Sequence, residues 1–86
     1  MNYLHYEYPY LNVGTRIEVK LDKQANARLL DESNFRNYHN GRQYNFYGGL
    51  VTVTPFYLTV PFNGKWHVAI DLGGQGGTIN AEVKVL

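Results

Sequence analysis

The sequence contains no cysteine. That removes disulfide staples, a thiol nucleophile and the thiolate ligands of the usual structural zinc sites. Charge is sparse as well: 17% of the 86 residues are charged and the net charge is +1. A protein that gripped nucleic acid through its phosphates would need a marked excess of Lys and Arg, so no nucleic-acid partner is expected. No apolar run approaches the roughly 20 residues that cross a bilayer, and no membrane partner is expected either. The opening Met1-Asn2-Tyr3-Leu4-His5-Tyr6 has neither the basic nor the apolar region of a signal peptide, and no Asn-x-Ser/Thr acceptor occurs. The expected compartment is the cytoplasm.

What is present is apolar and aromatic. The hydrophobic fraction is 44% and the aromatic fraction 15%, enough for one core in one domain, residues 1–86, with no room for a second. Gly and Asn punctuate the chain at Gly14, Asn40-Gly41, Gly48-Gly49, Asn63-Gly64 and Gly73-Gly74-Gln75-Gly76-Gly77. Between these marks the pattern alternates with period two, as half-buried strands require. Thr15 to Leu21 sets Ile17, Val19 and Leu21 against Arg16, Glu18 and Lys20. Lys65 to Leu72 sets Trp66, Val68, Ile70 and Leu72 against His67, Ala69 and Asp71, which places Trp66 in the core. Thr78 to Leu86 repeats the pattern.

Leu50 to Thr54 and Phe56 to Val60 are β-rich, with Pro55 and Pro61 restricting them to short strands, edges or bends. Gln43 to Tyr47 is aromatic enough for another strand. Asp22 to Glu32 has no full helical stripe, so it reads as a turn at Asp22 to Ala25 and a strand from Asn26 to Asp31. About seven short strands at this spacing predict an all-β, antiparallel β-sandwich or flattened barrel.

The most informative charge feature is another absence. No Asp or Glu occurs from Ser33 through Ile70, a span that holds Arg36, Arg42, Lys65, His39 and His67. If the loops converge, this makes an anion-attracting surface; otherwise acids from other strands, such as Glu18, Asp31 or Glu82, neutralise it. Ser33 to Tyr47 mixes aromatics with Asn, Arg and Gln. In a binding reading Arg36 and Arg42 hold an anion, Tyr38, Tyr44 and Tyr47 stack, and Asn34 orients, with His67 joining them. In a structural reading Asn34 and Asn40 set turns, Phe35 and Tyr38 plug one end of the sandwich, and Arg36 is solvated.

Other features read as structural. The Gly73 to Gly77 loop lacks the Gly-Lys-Ser/Thr of a phosphate-binding loop and is followed by a strand, so a tight hairpin with positive φ is expected. Asp71, just before it, is placed to cap turn N–H groups. His5, His39 and His67 are far apart in sequence without metal-ligand spacing, and no metal or cofactor is expected. Asp31 and Glu32 point in different directions, and no nucleophile–base set is legible, so no catalytic residues are assigned. Tyr3, Tyr6, Tyr8 and Tyr10 alternate about His5, Glu7 and Pro9, suiting core packing or a subunit interface.

Ala25-Asn26-Ala27-Arg28-Leu29-Leu30-Asp31-Glu32-Ser33-Asn34-Phe35, then Tyr38, Asn40-Gly41-Arg42 and Tyr47-Gly48-Gly49, resemble a bacterial domain-of-unknown-function family. Pro61, Gly64, Trp66, Val68, Ile70-Asp71-Leu72-Gly73-Gly74, Gly77 and Val83 to Leu86 match its closing signature. The resemblance covers almost the whole chain. It implies a small all-β domain, found alone or beside TIR domains of the NAD-cleaving or signalling type, and brings no catalytic residues. Gln43-Tyr44-Asn45-Phe46 departs from the family pattern, which is more basic there.

The leading expectation is therefore a non-enzymatic binding module for a small anionic ligand, a nucleotide or NAD-derived signal, in bacterial signalling or defence. Its site residues are Asn34, Arg36, Tyr38, Arg42, Tyr44, Tyr47 and His67. The rival is a protein–protein interaction or oligomerisation module, with a second copy or a TIR-type protein as partner. A carbohydrate-binding sandwich has the aromatics it needs but no secretion signal.

Overall fold

In chain order the elements are β1 (Tyr3–Leu11), β2 (Arg16–Leu21), β3 (Ala25–Asp31), α1 (Glu32–His39), β4 (Tyr47–Val51), β5 (Phe56–Thr59), β6 (Gly64–Asp71) and β7 (Ala81–Val85). They are taken from a computed structural model that describes residues 2–86. The strands form a four-stranded sheet in the order β1-β6-β3-β4 and a three-stranded sheet in the order β5-β2-β7. All neighbours are antiparallel. The expected seven-stranded sandwich is thus present. Among the described residues no helix is long and apolar enough to cross a membrane.

The period-two pattern is what closes the sandwich. Ile17 and Val19 of β2 meet Ala27 and Leu29 of β3, Leu58 of β5, and Trp66, Val68 and Ile70 of β6 in one buried cluster. Each large side chain there contributes about 1.5–3 kcal/mol by leaving water. Trp66 is fully buried and donates its indole N–H to the Phe62 carbonyl at 2.9 Å, so its one polar atom is satisfied. On β1, Tyr6 and Tyr8 pack against this cluster, whereas Tyr10 is exposed. Pro55 and Pro61 flank β5, an edge strand, as the ladder's need for N–H donors demands.

The structure departs from the sequence reading in three places. Glu32 to His39, where the sequence suggests turns at Asn34 and Asn40, is a helix. Its own propensity is weak, since Ser33, Asn34 and Asn37 all compete for backbone hydrogen bonds. Its ends are nevertheless specified. The Asp31 carboxylate accepts the Asn34 N–H at 2.8 Å as N-cap, Arg36 and His39 sit in the last turn, and Gly41 follows at φ 71°.

Second, Gln43 to Phe46 is not a strand: only Tyr47 of that run enters β4, which ends at Val51 rather than Thr54. The Asn45 N–H is spent on the Asn34 side chain at 2.9 Å, which holds this run against α1 and away from a ladder. Third, β6 is buried on both faces, because α1 covers the side carrying His67, Ala69 and Asp71.

Gly48 shows how closely β4 approaches its neighbours. It sits at φ +100°, and a Cβ there would lie 2.4 Å from the Ala27 carbonyl oxygen and 2.9 Å from Leu58. Gly41 is also left-handed, but a Cβ there meets nothing within 4 Å. Gly41→Ala is expected to cost only the left-handed backbone, about 1–2 kcal/mol. Gly48→Ala adds a backbone clash and should cost clearly more. Chemical denaturation of the two variants checks the order, and equal losses would refute the close approach.

Candidate functional site

Register and strand alternation put a mostly polar set on the outer face of the four-stranded sheet. Tyr3, His5 and Glu7 lie on β1, Lys65, His67 and Asp71 on β6, and Asn26, Arg28 and Leu30 on β3. Over them α1 lowers Phe35 and Tyr38, which join Leu30, Ala69, Tyr3 and Tyr44 in a second, smaller core. Spacing of three along the helix is what presents both rings to the sheet. Two polar networks lie beside these rings, one buried and one reaching the surface.

The first is centred on Asp71, 1% exposed. Its Oδ1 accepts from Asn26 Nδ2 at 3.0 Å and from the Gly73 N–H at 2.8 Å. Its Oδ2 accepts from the Tyr38 hydroxyl at 2.8 Å and pairs with Arg28 Nη1. Burial alone would raise the Asp71 pKa. The hydrogen bonds from Asn26, Tyr38 and Gly73 and the Arg28 charge outweigh it and hold the group below its ordinary 3.8. Tyr38 is pushed up from its ordinary value, first by burial and then by its bond to that carboxylate. The Arg28 guanidinium also lies 5.1 Å from the Phe46 ring centre and under 6 Å from those of Tyr38 and Tyr44. These faces surround a cation whose Nε has no hydrogen-bond partner.

The second network runs from helix to surface. Glu32 Oε1 lies 2.6 Å from His67 Nε2, and His67 Nδ1 lies 2.8 Å from His5 Nε2. The ionised carboxylate can only accept, so with both rings neutral His67 carries its proton on Nε2. Its Nδ1 then accepts the Nε2–H of His5. Phe35 lies flat on both imidazoles, with ring centres 4.2 Å from each and planes within 12° of parallel. Glu32 is held below the ordinary carboxylate value, chiefly by the His67 hydrogen bond and then by Lys65, against the pull of desolvation. His5 is lowered by burial and next by the charge of His67. His39 is drawn in through a 2.5 Å hydrogen bond between its Nδ1 and the Tyr3 hydroxyl. The three histidines, remote in sequence, therefore share one face. The ligand atoms of His5, Glu7 and His67 lie within 4.8 Å of one another, so these three could hold a metal ion.

The residues singled out from sequence are divided by the fold. Tyr38 and His67 are buried and fully engaged as described. Asn34 is occupied in the first turn of α1, bonding Asp31 and the Asn45 N–H. Tyr44 packs edge-on against Tyr38 at 5.1 Å, and Tyr47, half exposed, leans edge-on toward Trp66 at 6.1 Å. Only Arg36 and Arg42 are solvent-exposed cations, at the C-terminal half of α1 and just beyond it.

The acid-free span is compensated from outside. Arg36 lies 3.5 Å from Glu32, and Lys65 lies 3.2 Å from Glu32 and 3.9 Å from Glu7. These partners are not the Glu18, Asp31 or Glu82 weighed from sequence. What sequence reasoning missed was His5, Glu7, Glu32, Phe35, Arg28 and Asp71 as members of one face. The parity of His5 with Glu7 and of His67 with Asp71 was readable, but the β1–β6 pairing that joins them was not.

Away from these networks, an open cleft of about 590 Å³ lies between the start of β1, the end of β6 and the glycine loop. None of the sequence-predicted site residues lines it, and the one carboxylate that does, Asp71, has both oxygens committed. The loop itself behaves as a turn, with Gly73 and Gly74 at φ 69° and 86° and the Gly73 N–H capped by Asp71.

Among known proteins, the family model described as "Domain of unknown function (DUF1883)" matches residues 1–86. No curated protein and no solved structure matches the chain.

Asp71→Asn breaks a buried pair and leaves Arg28 uncompensated, so a loss of about 3–5 kcal/mol is expected. At this size that lowers Tm by more than about 10 °C. Tyr38→Phe removes one bond to the charge and should cost about 1.5–3 kcal/mol. Because the folded pKa of Asp71 lies below 3.8, its contribution is complete above about pH 4 and is lost as pH falls through the folded value. Thermal melts from pH 7 to pH 2 should therefore show the gap between the wild type and Asp71→Asn narrowing as pH falls below about 4. A constant gap between them would contradict this role.

Proposed function

The chain belongs to the DUF1883 family, and we propose that it is a non-enzymatic binding module that recognises a small anionic ligand on the side covered by α1. The observation that carries this reading is the state of its two exposed arginines. Among the described residues Arg42 makes no ion pair, and Arg36 has only a surface contact with Glu32, a carboxylate already shared by His67 and Lys65. Such cations keep most of their capacity for a bidentate anion. The exposed rings of Phe46 and Tyr47 follow on the same segment and offer stacking faces. The resemblance to domains found beside TIR domains suggests a nucleotide or NAD-derived anion, a bacterial signalling or defence setting and a cytoplasmic location. In this reading Tyr38, Asn34 and His67 position the helix from below, and Arg36 and Arg42 make the contact.

A specific observation favours a second reading, an interaction module. Edge strand β4 and its flank expose Phe46, Tyr47, Leu50 and Val53, the last at 76%. An apolar open edge invites strand addition or a second chain. The surface concerned is this edge rather than the tyrosine-rich start, because Tyr6 and Tyr8 are packed into the core.

A thermal-shift panel of nucleotides, NAD and linear or cyclic ADP-ribose separates the two. A ligand at about 100 times its Kd stabilises by about 2.7 kcal/mol, and Arg36→Ala with Arg42→Ala should abolish that shift without changing the unliganded Tm. An equal shift in the double variant removes the arginines from the site. A flat panel, together with an oligomer in sedimentation that Leu50→Lys and Val53→Lys dissolve, would instead establish the interaction module.

A further inference from the structure

We propose that His5, Glu7 and His67 form a binding site for a divalent transition-metal ion of the zinc class. The placement follows from antiparallel pairing. His5 and Glu7 are two apart on β1 and so share a face, while His67 of β6 lies directly opposite Glu7 and diagonal to His5. Three ligand atoms of the types that bind zinc, two imidazole nitrogens and a carboxylate oxygen, thereby fall within 4.8 Å of one another.

What distinguishes the cluster from a chance gathering of polar groups is the support behind it. Glu32 takes the Nε2–H of His67 at 2.6 Å and so turns the Nδ1 lone pair toward His5. A carboxylate that fixes the far nitrogen of a ligating histidine is the usual second layer of such sites. Phe35 stacked on both rings locks their planes and closes one side. His5 and Glu7, both exposed, leave the other side open, so a tetrahedral ion would keep one position for water or an external ligand.

The ion takes the place of the proton now shared between the rings. His5 shifts its own proton to Nδ1 and presents the Nε2 lone pair. Two nitrogens on a tetrahedral zinc lie about 3.3 Å apart, against 2.8 Å here, so the pair opens by roughly half an ångström. Lys65 is the competitor, with its ammonium 3.9 Å from the Glu7 carboxylate.

The test is calorimetric titration of the full chain with the chlorides of zinc, copper(II), cobalt(II), magnesium and calcium. One equivalent of zinc, copper or cobalt should bind, and magnesium and calcium should not, because imidazole favours the former. The cobalt form should show the intense visible absorption of low coordination. His5→Gln and Glu7→Gln alter exposed side chains and should each weaken zinc by at least about 10-fold, and Glu32→Gln by about 10–100-fold. Lys65→Gln should tighten it, which a purely structural role for the cluster does not produce. Circular dichroism confirms that each variant is folded. No zinc binding at millimolar concentration overturns the site, as does undiminished affinity in a folded His5→Gln, Glu7→Gln double variant.

Discussion

Four donors from three parts of the chain meet on one buried carboxylate. Asn26 and Arg28 come from β3, Tyr38 from α1, the Gly73 N–H from the glycine loop, and Asp71 itself ends β6. A charge in that position is costly unless every lone pair is used, and each bond therefore constrains the element that supplies it. The helix is the clearest dependent. Eight residues of weak propensity would not hold together alone. Its hold on the sheet is the pair of rings, Phe35 and Tyr38, with Tyr38 anchored at the hydroxyl. Once α1 is fixed, Glu32 at its first turn reaches His67, and the histidine network takes its shape from there. Polar order on the outer face thus propagates from Asp71 toward the surface.

The two faces of the four-stranded sheet are held by different means. The inner face is apolar and interchangeable in kind: many residues of similar volume would fill it. Among the described residues, the outer face and the helix over it bury only Leu30, Tyr38 and Ala69 as an apolar part, and this side gains specificity from directional bonds. The acid-poor middle of the chain belongs to this second regime. Arg36 and Lys65 are met by Glu32, and Lys65 also by Glu7, acids that lie before the span in sequence and beside it in space. Local charge along the chain was therefore a poor guide to local charge on the surface.

Legibility in the sequence follows the same division. Alternation in Arg16 to Leu21 and Lys65 to Leu72 gave strands β2 and β6 and the burial of Trp66, because a one-sided apolar requirement writes itself with period two. The turn role of Asp71 was also visible, since a carboxylate before glycines has a local partner. Its three other bonds were not, because Asn26, Arg28 and Tyr38 lie more than thirty residues away. The helix was misread although Asp31, Glu32, Asn40 and Gly41 all mark its ends. An aromatic-rich run with several asparagines looked like a loop, and only Phe35 and Tyr38, three apart, carried the helical period. Of the residues proposed from sequence for a ligand, Tyr38 and His67 lie buried in hydrogen-bond networks, while Arg36 and Arg42 lie at the surface.

The strand order carries a consequence for synthesis. β6 lies between β1 and β3 in its sheet but is the seventh of the eight elements to be made. Until residue 71 has left the ribosome, β1 has no neighbour in its sheet, one side of β3 stays bare, and Trp66, Val68 and Ile70 are missing from the core. A nascent chain ending before that point shows Tyr6, Tyr8 and Leu29 to its surroundings, with loop closure over some sixty residues still to come. The domain can thus fold only once β6 is available, and a product truncated before it would be a substrate for chaperones or proteases rather than a partly working fold.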